Sequence, residues 1–271
     1  MDNVIFELKD VHFSYLGKYP ALRGVDIAIQ RGQKIAVIGA NGSGKSTLLQ
    51  MLDGLIFPGS GIIKAFGSQI DEKMFNDEDF SRSFRKRVGF VFQNPDIQLF
   101  CPSVKEDILF GPLQLGLDKR KTEDRLVMLA DLLGIKELLN RAPHQLSIGE
   151  KRKVAIASTM IIDPEILILD EPTAGLDPLT TRHIIDLLVS ENKAGKTIIT
   201  TTHDLHIVEE ISDVVCVFSS AKTIVRSARA QELLKDMEFL QAHNLVHIHS
   251  HHHDGTVHVH PHDHPSHEHT H

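Results

Sequence analysis

The chain has 271 residues, of which 41% are hydrophobic and 24% charged, enough apolar content for one large packed domain or two modest lobes. A formal net charge of −7 without a long basic run argues against nucleic acid as a partner. No stretch reaches the ~20 apolar residues of a membrane span, the acidic start MDNVIFELKD lacks a secretory-signal pattern, and two distant cysteines, Cys101 and Cys216, fit a reducing cytosolic compartment rather than a disulfide framework.

In chain order, residues 4–8 (VIFEL) and 25–29 (VDIAI) alternate and predict strands. The apolar run 34–38 (KIAVI) predicts a strand buried on both faces, with a helix over 45–52 after it. Residues 71–87 are charged and irregular and read as a surface excursion before a strand at 88–92. Helical periodicity over 104–140, interrupted at Gly111-Pro112 and Gly116, predicts a helical lobe inserted between strands; a helix over 150–162 then stops at Pro164. Strands at 166–170, 197–201 and 213–218 alternate with helices at 178–193 and 204–211, and a last helix covers 229–242. Such alternation predicts an α/β fold with a mostly parallel sheet. Thirteen of the eighteen histidines crowd into residues 243–271, a segment with few apolar residues that reads as a disordered tail.

Residues 39–47 (GANGSGKST) match the phosphate-binding pattern G-x-x-x-x-G-K-[ST] between an apolar strand and a helix. Glycines allow the backbone to wrap closely and aim its N–H groups at phosphate oxygens, and the following helix adds the positive end of its dipole. The expected nucleotide-binding set is Gly39, Asn41, Gly42, Ser43, Gly44, Lys45, Ser46 and Thr47. Lys45 neutralises the β- and γ-phosphates, Ser46 ligates Mg²⁺, and Thr47 adds a donor near the α-phosphate. At the end of ILILDE (166–171), Asp170 is a candidate for the Mg²⁺ shell and Glu171 for the base that accepts a proton from the attacking water. These residues predict an enzyme that binds and hydrolyses ATP.

Around this pair of motifs, residues 4–240 resemble the ATP-binding subunits of ABC transporters. The resemblance implies a RecA-like P-loop NTPase core, an N-terminal antiparallel β subdomain and a helical subdomain, here over about 94–160. It places Tyr15 against adenine. Gln93 corresponds to a glutamine that touches metal and water and reports to the membrane subunit. LSIGE (146–150) corresponds to the signature LSGGQ, whose Ser147 and Gly149 N–H would reach the γ-phosphate held by a second subunit. Asp177 falls in the D-loop at the dimer seam, and His203 is the switch histidine that holds γ-phosphate and water. Two departures stand out: Ile148 replaces the first glycine of the signature, where it is expected to alter local packing, and SSAKTIVR (219–226) lacks the glycine that commonly makes the last hairpin turn.

QNPDIQLF (93–100) and EDILFGPLQLGL (106–117) resemble the ATPases of energy-coupling-factor importers, which carry vitamins or nickel and cobalt. The resemblance implies a transmembrane coupling subunit and a substrate-binding membrane subunit as partners, on the cytoplasmic face of the membrane. It also implies a dimer of identical chains, or of two different ATPases as in vitamin importers. The tail adds candidate transition-metal ligands for Ni²⁺, Co²⁺ or Zn²⁺ at His247, His249, His251, His252, His253, His258, His260, His262 and His264. The combined expectation is a nickel or cobalt importer ATPase. A vitamin importer, a soluble ATPase of iron–sulfur assembly and a metal-storage protein are the alternatives.

Overall fold

The computed structural model describes residues 3–253 and 256–262. β1 (Val4–Tyr15) and β2 (Tyr19–Gln30) form a long hairpin, and β3 (Lys34–Gly39) leads into α1 (Lys45–Leu52). β4 (Ser60–Ala65), β5 (Ser68–Gln69), α2 (Glu72–Phe75), α3 (Glu78–Arg87) and β6 (Val88–Val91) follow. Three helices come next, α4 (Val104–Gln114), α5 (Lys119–Leu132) and α6 (Ile148–Met160). β7 (Ile166–Asp170), α7 (Pro178–Lys193), β8 (Thr197–Thr201), α8 (Leu205–Ile211) and β9 (Val214–Phe218) then alternate. β10 (Ile224–Arg229), α9 (Ala230–Leu233), α10 (Met237–Ala242), β11 (His247–His253) and β12 (Thr256–His262) complete the order.

The main sheet runs β10-β9-β3-β8-β7-β6 and is parallel except at β10. A second, antiparallel sheet runs β2-β1-β4-β5. This is the expected α/β architecture. β3, β7 and β8 lie inside the main sheet, which is why their apolar runs show no alternation. One core fills the space between the two sheets, with Leu48, Leu49, Met51 and Leu52 of α1 at its centre. A second joins α4, α5 and α6 to one face of β7 and to α7. A third packs α9 and α10 against β9.

Four segments differ from the sequence-based expectation. Residues 71–87 are not irregular: Asp71 and Asp77 cap α2 and α3 by accepting from the Met74 and Phe80 N–H groups. Phe75 packs edge-on against Phe80 and Phe84 at 5.3 and 4.9 Å, a cluster hidden among charges in the sequence. Gly111-Pro112 does not interrupt α4, because Pro112 falls in its last turn, where one lost N–H disturbs little of the helix. The predicted final helix over 229–242 divides into α9 and α10, after an unpredicted β10 that borders the sheet. Residue 243 does not begin a disordered tail, since Val246 is buried in the third core. Beyond it, β11 pairs antiparallel with β12, setting His247, His249 and His251 opposite His262, His260 and His258, in keeping with the period-2 alternation of histidine with Ile and Val. His264 and the rest of 263–271 lie outside the described residues.

At the far end of α1, Asp53 is buried and its carboxylate accepts from the Arg85 guanidinium of α3 at 2.7 Å. The same guanidinium nitrogen also donates to the Asp53 carbonyl at 2.8 Å. This joint holds α1, and so the loop before it, against the helical excursion. Burial outweighs the pairing with Arg85 and pushes the Asp53 carboxyl up to about 7. The folded chain therefore retains a proton that the unfolded chain releases near pH 4, so this contribution to stability is complete below that pH and is lost as pH rises through about 7. The melting temperature of the wild type should fall relative to Asp53→Asn between pH 5 and 8, which differential scanning fluorimetry measures. At pH 8, Arg85→Ala should destabilise the chain by about 3 kcal/mol in urea unfolding, because the buried Asp53 carboxyl loses its ion-pair partner and must take up a proton to stay inside.

Candidate active site

β3 lies between β8 and β9, so its C-terminal end opens between two connecting loops. The loop from Gly39 to Lys45 is set deep there. A Cβ at Gly44 would stand 2.4 Å from the Ala21 carbonyl oxygen, and one at Gly39 2.7 Å from that of Phe218. Gly44 takes φ 116° and precedes α1 without any side-chain cap, so the first N–H groups of the helix are open to an anion. Lys45 is buried; its ammonium donates to the Gly39 and Ala40 carbonyls at 2.8 and 3.3 Å. Burial pulls its pKa down, against the opposing charges of Glu171 and Asp170. The buried Ser43 hydroxyl has no partner.

β7 ends on the acidic pair. Thr201, at the end of β8, donates from its hydroxyl to Asp170 Oδ1 at 2.6 Å and accepts the Glu171 N–H at 2.8 Å. Glu171 is buried with φ 49°, a strained conformation that turns its carboxylate back toward the loop. His203 Nδ1 lies 2.8 Å from Glu171 Oε2, and that hydrogen bond raises the histidine pKa. The other ring nitrogen is left for a ligand.

Of these groups, Gly44, Lys45, Asp170 and Glu171 line one cavity of about 460 Å³, while Gly39, Ser43, Thr201 and His203 stand outside its lining. Tyr15, Tyr19 and Pro20 stand on one wall, the phosphate loop forms the floor, and Gln93, Asp170 and Glu171 close the far side. The Tyr15 hydroxyl lies 3.2 Å from Thr47 Oγ1 and 3.3 Å from Gln50 Oε1. Lys45 and Lys222 supply its two cationic side chains. The donor set fits a nucleoside triphosphate with Mg²⁺: close-wrapped N–H groups and an ammonium for phosphates, and hard oxygens from Ser46, Gln93 and Asp170 for the ion.

Ser147, Gly149 and Asp177 do not line this cavity. Ser147 caps α6 in a reciprocal box: its hydroxyl accepts from the Glu150 N–H at 3.3 Å, and its own N–H donates to Glu150 Oε2 at 2.8 Å. That bond holds the Glu150 carboxyl below the usual carboxylate range. Ile148, expected to alter local packing, instead projects outward and is 63% exposed. Asp177 is exposed and caps α7 by accepting from the Thr180 N–H at 2.9 Å.

Two residues were invisible to motif reading. Thr201 is one of a run of threonines, and only its pairing with both acidic residues singles it out. Arg152 is buried on α6, and its guanidinium donates to the carbonyls of Phe92 and Gln93 at 2.8 and 2.6 Å. It lies five positions past Ser147, on the opposite, buried side of α6, so no face shared with Ser147 marks it in the sequence.

Residues 22–174 match the family model described as "ABC transporter". The nickel import ATP-binding protein NikO of Rhodobacter capsulatus is 49% identical over 233 residues, 85% of this chain and 91% of that protein. The energy-coupling factor transporter ATP-binding protein EcfA of Methanothermobacter thermautotrophicus is 41% identical over 241 residues, 89% of this chain and 76% of that protein. Among solved structures, cbiO1 of Clostridium perfringens, described as part of the ABC transporter complex cbiONQ, superposes with a TM-score of 0.75 at 36% identity over 90% of this chain and 96% of that one.

Thr201→Val should leave the Glu171 N–H without its buried acceptor, costing about 2 kcal/mol of stability in urea unfolding. ATP hydrolysis should fall more than about tenfold as Asp170 and Glu171 lose their shared anchor. Thr201→Ser should keep both near wild type.

Proposed function

The chain belongs to the ABC transporter family, as an ATP-hydrolysing subunit of the energy-coupling-factor type, and on that premise we propose that it powers uptake of nickel or cobalt ions through a membrane partner. The observation that carries the mechanism is the division of the site: phosphate loop, Gln93, Asp170, Glu171 and His203 converge, while Ser147 and Asp177 stand apart on exposed caps. A second copy is needed to bring its Ser147 and Gly149 N–H to the open side of the cavity. In this reading Tyr15 covers adenine, and Lys45 leaves the Gly39 and Ala40 carbonyls for the β- and γ-phosphates. Glu171 takes the proton of the attacking water, while His203 holds the carboxylate and hydrogen-bonds the γ-phosphate. Ser46, Gln93 and Asp170 would hold Mg²⁺, which would supply charge neutralisation at the phosphates. ATP joins the two copies, and hydrolysis places separated phosphate charge between them and lets them part.

The membrane partner has a candidate landing place. Phe92, Arg85, Gln114 and Ile162 line a groove between the main sheet and α4. Ile97, Phe100 and Leu113 are exposed, and Phe100 meets Phe110 edge-on at 5.0 Å. None of the helices among the described residues is long and apolar enough to cross a membrane. Nickel or cobalt as cargo is supported by the name of the NikO relative and by the histidine tail. In this proposal the tail, with His247, His249, His251, His258, His260 and His262 on its paired strands, collects or senses the ion on the cytosolic side.

Glu171→Gln should lower ATP hydrolysis at least ~100-fold and trap an ATP-dependent dimer visible by size-exclusion chromatography. Adding Ser147→Arg should return that variant to monomer. A wild-type hydrolysis rate in Glu171→Gln would remove Glu171 from the role of base. Cells lacking the chain should lose nickel or cobalt accumulation, measured by elemental analysis; normal accumulation together with a vitamin requirement would reassign the cargo. Deleting residues 247–271 should abolish Ni²⁺ binding in calorimetry while leaving ATPase activity of the purified chain within about twofold.

A further inference from the structure

The turn between β9 and β10, where SSAKTIVR lacks the glycine common in the family, resolves into an observation of its own. Lys222 takes the conformation a glycine would have, with φ 69°. L side chains disfavour that region, so a lysine held there is an outlier. Its backbone is anchored on β2, where the Arg23 N–H donates to the Lys222 carbonyl at 2.8 Å and Thr223 Oγ1 donates to the Gly24 carbonyl at 3.2 Å. The anchor sits directly after Pro20 and Ala21, which line the cavity beside Tyr15 and Tyr19. From there the side chain lies along the cavity wall, and its ammonium donates to the carbonyl of Gly42 on the phosphate loop.

Lys45 and Lys222 thus hold the loop from two sides. Lys45 donates to the carbonyls of Gly39 and Ala40, and Lys222 to that of Gly42. The two are not equivalent. Lys45 faces Asp170 and Glu171, the end where terminal phosphate and metal would lie. Lys222 approaches from the tyrosine side.

We propose that Lys222 is a nucleotide-binding residue at the nucleoside end of the site. Its aliphatic stem forms part of the wall, at the Tyr15 end, that the ribose and base pack against. Its ammonium, tied to the Gly42 carbonyl, fixes that stem along the cavity wall. Long side chains bury their methylenes against apolar surface while their charged head stays with polar partners, which is the division of labour seen here. The strain of the turn is then retained for binding. The inference rests on the reading of this cavity as the ATP site and adds a residue that no P-loop motif contains.

The test uses the full chain and titration calorimetry with ATP and, separately, with inorganic tripolyphosphate. Lys222→Gly suits the backbone, so the nucleotide-free variant should melt at the wild-type temperature or above it. Its ATP affinity should be about tenfold weaker, the loss of the wall against which ribose and base pack. Tripolyphosphate, which lacks the nucleoside, should bind within about threefold of wild type. Lys222→Met keeps the stem without the ammonium and should fall between. Unchanged ATP affinity in Lys222→Gly overturns the inference, as does an equal loss for ATP and tripolyphosphate. Lys45→Ala separates the two readings. If it binds ATP like the wild type, the cavity is not the ATP site; if it loses binding while Lys222→Gly does not, only the role of Lys222 fails.

Discussion

The structure depends on one close approach. The phosphate loop is wedged between the antiparallel sheet at Ala21 and the main sheet at Phe218, at distances only glycine permits at positions 39 and 44. Any side chain at Gly44 would push the Ala21 carbonyl away and open the junction of the two sheets. The core beneath is the one that α1 fills with Leu48, Leu49, Met51 and Leu52. Burial of each such side chain is worth about 2 kcal/mol, so the helix behind the loop cannot shift without a large loss. The N–H groups that would meet phosphate are therefore fixed before any ligand arrives.

A second connection runs through α6. Ser147 caps its start on an exposed surface, and Arg152, buried one turn and a half later, grips the backbone of Phe92 and Gln93. Gln98 extends the same attachment, donating to the Ala155 carbonyl at 2.9 Å and accepting the Phe92 N–H at 3.2 Å. One helix thus joins the surface proposed to meet a second copy to the loop proposed to meet a membrane subunit. Because Arg152 is buried and doubly bonded to carbonyls, displacing Gln93 requires moving α6 with it. The proposed cycle of closing and opening needs this kind of rigid transmission.

Charge is arranged with similar economy on the hydrolytic side. Asp170 and Glu171 are adjacent in sequence and both buried. The strained backbone at Glu171 turns it away from the direction in which Asp170 continues the strand. One threonine hydroxyl serves both, donating to the carboxylate of the first and accepting from the backbone of the second. His203 then meets Glu171 from the end of the neighbouring strand, and their hydrogen bond favours the protonated imidazole. Two carboxylates with different surroundings can thus take different tasks.

Chain-local features were legible before the structure. The phosphate loop, the burial of β3, β7 and β8, and the bounds of α1 and α7 follow from apolar runs, caps and glycine spacing, each a property of a few neighbouring residues. Helices α2 and α3 were not legible, because their stability comes from a phenylalanine cluster inside a charged segment and from Arg85 reaching Asp53 across 32 positions. β10 and the break between α9 and α10 escaped because an edge strand and a short helix are decided by what they pack on. The sequence by itself determined the chemistry at each position: ammonium at 45, carboxylates at 170 and 171, imidazole at 203. Only the tertiary structure decided their company. Thr201 joins the acidic pair, Arg152 holds the loop of Gln93, and Lys222 reaches Gly42 across 180 positions, because packing of the two sheets and α6 sets those distances and no local pattern encodes them.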